Sequence, residues 1–352
     1  MKIGLGLYRQ MLNRDHFRFA RQAGCTHVVA HLLDYRKDQF LDPDRRPPDP
    51  ANPRDLWTEE QLTDLKTGVN AEGLVLEAIE NFEPAHWSDI LLDGPRKIEQ
   101  IEDIKTMIRR VGKVGIPIIG YDFSIAGVWG HIQGSWARGG ATALGFSQKH
   151  GPRETLIPKG EVWNVIYDPE APSGDIGEVT SEQIWMRYEE FLKAVVPVAE
   201  EAGVRLAAHA DDPPLPTLRG TARLVYQPHM YQRVLDIVPS TANALEICMG
   251  TTQTMTEGDI YDVLATYSRK KAIAYVHFRN VRGQVPEYRE VFLDEGDIDM
   301  VKALRVLHDN GYDGLLVPDH TPHMTCSAPW HAGMTYALGY MQAALRIIET
   351  GG

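Results

Sequence analysis

The sequence predicts a (β/α)8 barrel, and three observations carry that prediction. Eight short apolar runs of β type recur along the chain, an amphipathic helical stretch follows each, and a glycine stands where several of those helices end. The runs fall at 3–7, 26–30, 74–80, 117–123, 205–210, 244–250, 272–280 and 314–320. They are apolar along nearly their whole length, as strands covered on both faces must be, and eight parallel strand–helix units close into a barrel. An open doubly wound sheet is the competing layout. It would place a G-x-G-x-x-G after a strand, and Gly4-Leu5-Gly6 lacks the third glycine and the helix start.

Taken in order, IGLGL at 3–7 opens the chain and leads into a helix over 13–23, closed by Gly24 before the second strand. A charged, proline-rich loop at 34–57 precedes a helix over 58–72, and Gly73 leads into LVLEAIE at 74–80. A long helix over 95–114 ends at Gly115, ahead of PIIGYDF at 117–123. The loop at 124–180 is rich in Gly, Pro, Trp and His, and its Trp129, Trp136 and Trp163 favour a lid over a disordered segment. From there the alternation is regular: a helix over 181–202 capped by Gly203, RLAAHA at 205–210, a helix over 228–238, ALEICMG at 244–250, and a helix over 256–269. AYVHFRN closes the seventh strand, a helix over 297–310 ends at Gly311, LLVPDH closes the eighth, and a helix over 328–349 completes the unit. The whole chain, 1–352, reads as a single barrel domain with two long loops.

Composition narrows the function. Lys and Arg number 36 against 48 Asp and Glu, for a net charge of −12, and no basic stripe interrupts that excess, which argues against a nucleic-acid partner. Hydrophobic residues make up 43%, but no run is long enough to span a bilayer, so no membrane is expected. The N-terminus lacks the apolar core of a signal peptide and Cys25, Cys248 and Cys326 cannot all pair, so a cytoplasmic, reducing compartment is expected.

The chemistry-bearing residues collect at strand ends. His209 ends the fifth strand, Cys248 the sixth, His277 the seventh and Asp319 the eighth. Two imidazoles, a thiolate and a carboxylate are thus delivered to one barrel end by four successive β/α units, a donor set that suits a divalent metal. A lone buried cysteine or strand-end histidine is usually structural; four in register make a shared ion the better reading. His320, next to Asp319, takes a general-base position at the rim, and Arg279, two residues after His277, is placed to clamp a carboxylate in a bidentate fork. Asp211 and Asp212 occupy a proline-stiffened turn above the fifth strand, as a tautomer-fixing partner for His209 or simply as turn formers. Glu246 shares a strand face with Cys248, and a carboxylate there is costly unless it is paired or binds metal. Alternation sets Glu77 on the face opposite Glu80; Glu80 and Asp122 are candidate partners for substrate hydroxyls.

The stretch from Phe191 to Pro214, ending in H-A-D-D-P-P, resembles the mannonate dehydratases, which carry a helix of this pattern followed by H-P-D-D-P-P. Cys248-Met-Gly-Thr resembles the family's C-T-G-S, His277-Phe-Arg279 its H-L-R, Gly296-Asp-Ile-Asp-Met300 its G-D-V-D-M, and Pro318-Asp319-His320 its P-D-H. The likeness is dense over about 185–325 and fainter upstream, where Tyr121-Asp122-Phe123 resembles Y-N-F. It implies a xylose-isomerase-like barrel, with Mn²⁺ held by His209, Cys248, His277 and Asp319, or Zn²⁺, Co²⁺ or Fe²⁺ in its place. It further implies a homo-oligomer that dehydrates D-mannonate to 2-keto-3-deoxy-D-gluconate in hexuronate breakdown. In that reaction the ion offsets charge on the carboxylate as the carbon-2 proton leaves, and departure of the carbon-3 hydroxyl needs an acid. The resemblance puts His320 in the acid/base pair, with Tyr336 as its second member.

Four departures fall near the expected pocket. Tyr336 is shifted by one position and Tyr340 replaces the family's arginine; W-x-R reads Trp129-Gly130-His131; Glu246 replaces a small neutral residue; and the lid segment differs. Trp129 and His131 are therefore expected on the substrate in the arginine's place. The departures keep two alternatives open: a related isomerase, epimerase or eliminase acting on an uncharged sugar, and a non-catalytic sugar-acid sensor or structural-zinc barrel.

Overall fold

In the computed structural model, which describes residues 1–35, 51–52 and 54–350, eight parallel strands close into a barrel. They are β1 (Lys2–Leu7), β2 (His27–His31), β3 (Val75–Glu80), β4 (Ile118–Tyr121), β5 (Arg205–Ala208), β6 (Asn243–Cys248), β7 (Ile273–His277) and β8 (Leu315–Val317), hydrogen-bonded around the ring in chain order with β8 beside β1. Each of the eight expected runs supplies one of them. Most of the proline-rich loop expected at 34–57 lies outside the described residues.

All eight expected helices form, each placed by local chemistry. Ser181–Ala202, for example, starts in a reciprocal capping box in which Thr180 accepts from the Gln183 N–H and the Gln183 side chain accepts from the Thr180 N–H. It ends at Gly203 (φ 68°), a left-handed position that costs a side-chain-bearing residue strain. Its Ile184, Tyr188, Phe191 and Val195, three or four residues apart, are buried as one face. Two helices go beyond the expectation, Pro84–Leu92 and the short Met249–Thr254.

The barrel interior is filled by small residues around one large one. Ala78, Ala207 and Ala244 form a cluster with Val29, Ile118, Leu315 and the fully buried Tyr275. Gly120 makes room for that tyrosine, because a Cβ there would meet the Tyr275 hydroxyl and lie 2.7 Å from Glu246 Oε2. Gly120→Ala is expected to lower stability by about 1–3 kcal/mol, read as a shift in the urea midpoint at unchanged slope.

The loop expected at 124–180 proves to be built rather than irregular. His131–Ala137 and Ala141–Ser147 form a hairpin that joins Glu287–Val291 and Asn280–Gln284 in a four-stranded antiparallel sheet. The expected seventh run at 272–280 therefore splits, with Asn280 opening the second half of this sheet.

Candidate metal centre and active site

Strand register assembles the site. Cys248 lies opposite His277 across β6 and β7, His277 opposite Val317 of β8, and Tyr121 opposite Ala208, so the residues that follow, Asp122 and His209, are also neighbours. On the other side of the ring His31 lies opposite Glu80, and Glu80 opposite Gly120. These strand ends surround a cavity of about 910 Å³.

His209, Cys248 and His277 bring their donor atoms within 4.8 Å of one another. The His209 Nδ1–H is bonded to the Ala210 carbonyl at 2.5 Å, which leaves Nε2 to face the cluster. Cys248 receives the Thr251 N–H at 3.4 Å and the Arg279 Nε–H at 3.1 Å. Burial opposes its ionisation, but Arg279 and the two imidazoles outweigh burial and bring the thiol down to about 5, a thiolate at neutral pH. His277 Nδ1 is buried with no hydrogen-bond partner among the described residues, 3.4 Å from Asp319 Oδ2. Asp319, also 3.1 Å from Arg279 Nε, is held well below the usual carboxylate range: His277, His320 and Arg279 outweigh its burial.

The cluster is a sink for positive charge. Burial disfavours charge on His209, yet Cys248 and Glu246 raise it to about 10, and Asp319, Glu246 and Glu80 lift His277 well above its usual range against the same penalty. A thiolate, two imidazole nitrogens and a carboxylate that gather protons in this way fit a divalent ion, which would displace those protons on binding. The chain therefore has a group of side chains able to hold a metal ion.

Glu246 does face the site; Oε2 is hydrogen-bonded, whereas Oε1 is buried beside His277 with no hydrogen-bond partner among the described residues. Its Oε2 accepts from the Tyr275 hydroxyl at 2.5 Å and its Oε1 lies 3.0 Å from His277 Nε2. The same hydroxyl is 3.0 Å from Glu80 Oε2. The two carboxyls divide the charge: burial and Glu80 push Glu246 up to about 8, whereas His31 and His277 outweigh burial at Glu80 and take it to about 2. Glu77 is elsewhere, paired with Lys2 at 2.7 Å.

Above the cluster, His320 Nδ1 is 3.0 Å from Glu290 Oε1, which orients the ring; Asp319 and Glu290 outweigh burial and raise the metal-free ring to about 9, a pull that a cation held at Asp319 would offset, leaving the imidazole able to accept a proton. Asp122, Glu80, His131 and His320 all line the cavity. His131 Nε2 is 2.9 Å from the Tyr288 hydroxyl and 3.4 Å from Asp212 Oδ1. Asp211 is a loop fastener: Oδ2 accepts the Leu224 and Val225 N–H groups, each at 2.8 Å, and Oδ1 pairs with Arg223 at 2.7 Å.

The remaining expected site residues are Tyr336, Trp129 and Arg279. Tyr336 does not line the cavity; it packs on Phe292 with its hydroxyl 3.3 Å from Arg138, because its position on the helix Pro329–Glu349 faces the antiparallel sheet. Trp129 is also outside, its ring 5.3 Å from the Arg219 guanidinium, since Gly130 (φ 92°) turns the chain between it and His131. Arg279 borders the cavity, but its guanidinium is buried and committed to protein groups: Glu290 at 2.9 Å, Asp212, Thr251 at 2.9 Å, Cys248 and Asp319. These contacts tie Cys248 and Asp319 to the accessory sheet and to the loop after β5.

Several site residues carry weaker signals in the sequence. His31 ends β2 as His209 follows β5, and the strand-end rule would have found it; it now meets Tyr35 at 2.7 Å and lines the cavity. Glu290 comes from the accessory sheet, where no chemical motif marks it.

Fold and site together define a (β/α)8 enzyme whose strand ends gather side chains able to hold a metal ion beneath a histidine oriented by a carboxylate. The family model for D-mannonate dehydratase (UxuA) matches residues 21–346, and the chain belongs to that family, a family of hydro-lyases. A mannonate dehydratase of Streptococcus equi subsp. zooepidemicus is 31% identical over 276 residues, 75% of this chain and 74% of its own. Among solved structures, the mannonate dehydratase of Streptococcus suis serotype 2 shares the fold with a TM-score of 0.76 and 24% identity, covering 99% of this chain and 95% of its own. A xylose isomerase domain protein from Planctomyces limnophilus shares the barrel with a TM-score of 0.57 and 14% identity, covering 99% of each chain. Among the described residues no helix is long and apolar enough to cross a membrane.

Proposed function

We propose that this chain removes water from D-mannonate, or a closely related aldonate, to give a 2-keto-3-deoxy acid, with His209, Cys248, His277 and Asp319 holding a divalent ion, Mn²⁺ in our reading. The observation that carries the proposal is the triad of donors within 4.8 Å at the floor of a cavity whose rim holds His320 on Glu290. When bound, the ion supplies an electrophile that offsets negative charge building on the substrate carboxylate. His320, its Nδ1 held by Glu290, turns Nε2 toward the cavity and takes the proton from carbon 2. Glu80 and His131 face the hydroxyl-bearing chain of the substrate, and Trp163 closes one wall against water. Arg279 keeps Cys248 ionised and so keeps its sulfur a ligand. A ligand thiolate has to stay reduced, which supports a cytoplasmic setting.

The test is direct. Protein loaded in turn with Mn²⁺, Co²⁺, Zn²⁺, Fe²⁺ or Mg²⁺ is incubated with D-mannonate and assayed for a 2-keto-3-deoxy acid. Product with at least one metal is expected; none with any, alongside turnover of a neutral ketohexose, would replace the proposal with an isomerase. His320→Asn should cut kcat by roughly 10²–10⁴ while bound metal stays at the wild-type level.

A further inference from the structure

We infer that Asp122 is the general acid that protonates the departing carbon-3 hydroxyl, acting from the wall opposite His320. The inference rests on the dehydratase reading above and gives its unassigned acid step to a residue of this chain.

Three observations lead to it. The tyrosine that the family resemblance put in the acid role, Tyr336, lies outside the cavity on Arg138 and Phe292, so the acid has to come from elsewhere. Asp122, one residue beyond β4, lines the cavity, is only 3% exposed, and has a buried Oδ2 with no hydrogen-bond partner among the described residues. A buried carboxyl oxygen left without a partner in a protein is costly, and a catalytic role is one of the few reasons for keeping one. The backbone holds it in place: the Asp122 carbonyl accepts from Trp163 Nε1 at 3.2 Å and from the Ser124 N–H at 2.9 Å, so the residue is fixed while its carboxyl is unbonded.

The third observation is topological. In a ring ordered as this one is, β4 and β8 are separated by three strands in either direction, so the loop bearing Asp122 and the loop bearing His320 meet the cavity from opposite sides. A base on one wall and an acid on the other are what an anti elimination requires, because the C–H and C–O bonds that break point to opposite faces of the carbon chain. An acid on this wall has to hold its proton before the step, and the buried, unpartnered Asp122 Oδ2 is the atom that would carry it.

The step balances. The carbon-2 proton passes to His320 Nε2, the electron pair of that C–H bond becomes the carbon-2 to carbon-3 double bond, and the carbon-3 to oxygen bond breaks. Its electron pair leaves with the oxygen, which takes the proton of Asp122 and departs as water. The enol so formed tautomerises to the 2-keto acid, and solvent returns His320 and Asp122 to their starting protonation states.

The experiment compares wild type with Asp122→Asn on two substrates, D-mannonate and 3-deoxy-3-fluoro-D-mannonate, following keto-acid formation and, for the second, fluoride release. Fluoride leaves as the anion of a far stronger acid than water and needs no proton. Asp122→Asn should lose roughly 10²–10⁴ in kcat on D-mannonate, with KM and bound metal close to wild type, and should keep fluoride release within a few-fold of wild type. Full activity of the variant on D-mannonate would overturn the assignment, and so would an equal loss on both substrates, which would mark Asp122 as merely structural. Wild type inactive on both substrates would instead bring down the dehydratase reading, and this inference with it.

Discussion

Cys248→Ser is expected to abolish both tight metal binding and turnover. The serine hydroxyl stays neutral where the thiol is ionised, so the substitution removes a negative charge and a soft donor at once. It also leaves the Arg279 Nε–H and the Thr251 N–H facing a poorer acceptor. Metal affinity should fall by more than the roughly 10–100-fold that outer partners of a metal site typically cost. Metal retained after dialysis against a competing chelator is the measure, with Cys326→Ser, at an exposed residue, as the control that keeps its metal. A Cys248→Ser protein that still holds stoichiometric metal would remove the thiolate from the ligand set. The fold should survive, because the variant swaps sulfur for oxygen at a position whose backbone is tied into β6 opposite His277.

How much of this was legible before the structure depends on where each residue lies. His209, Cys248, His277 and Asp319 were legible because a barrel converts sequence spacing into position: each follows or ends a strand, and every strand ends at the same rim. Asp122 and Glu80 were legible for the same reason. Tyr336 was not, because a helix residue's direction depends on its phase, and one position of shift turns it from the cavity onto Phe292. The position of Arg279 was legible, but its ion-pair partners were not, since Glu290 and Asp212 arrive from the accessory sheet and the loop after β5. That sheet had a trace in the sequence: Val281 and Val291, and Tyr288 between them, are buried apolar positions flanking a polar turn. No strand-end rule reaches Glu290, although it orients His320.

Arg279→Met provides the sharpest test of how the centre is held together. The arginine is 2% exposed and lies among four anionic groups, Cys248, Asp212, Glu290 and Asp319, whose combined attraction outweighs the cost of burying it and holds it firmly charged. Removing it leaves buried negative charge without its cation, a change that costs about 3–5 kcal/mol in comparable buried pairs. We expect the urea midpoint to fall accordingly, the Cys248 thiol to titrate at higher pH, and metal affinity to drop with it. Arg279→Lys should recover little of this, because one ammonium group cannot span acceptors that the planar guanidinium reaches from different nitrogens. A substrate clamp behaves differently: losing it would raise KM and leave both the midpoint and the metal untouched. A variant with wild-type stability and metal content but a large rise in KM would return Arg279 to the substrate, and the anchoring of the cluster would then have to rest on Thr251 and Tyr288 at Asp212 and on His320 at Glu290.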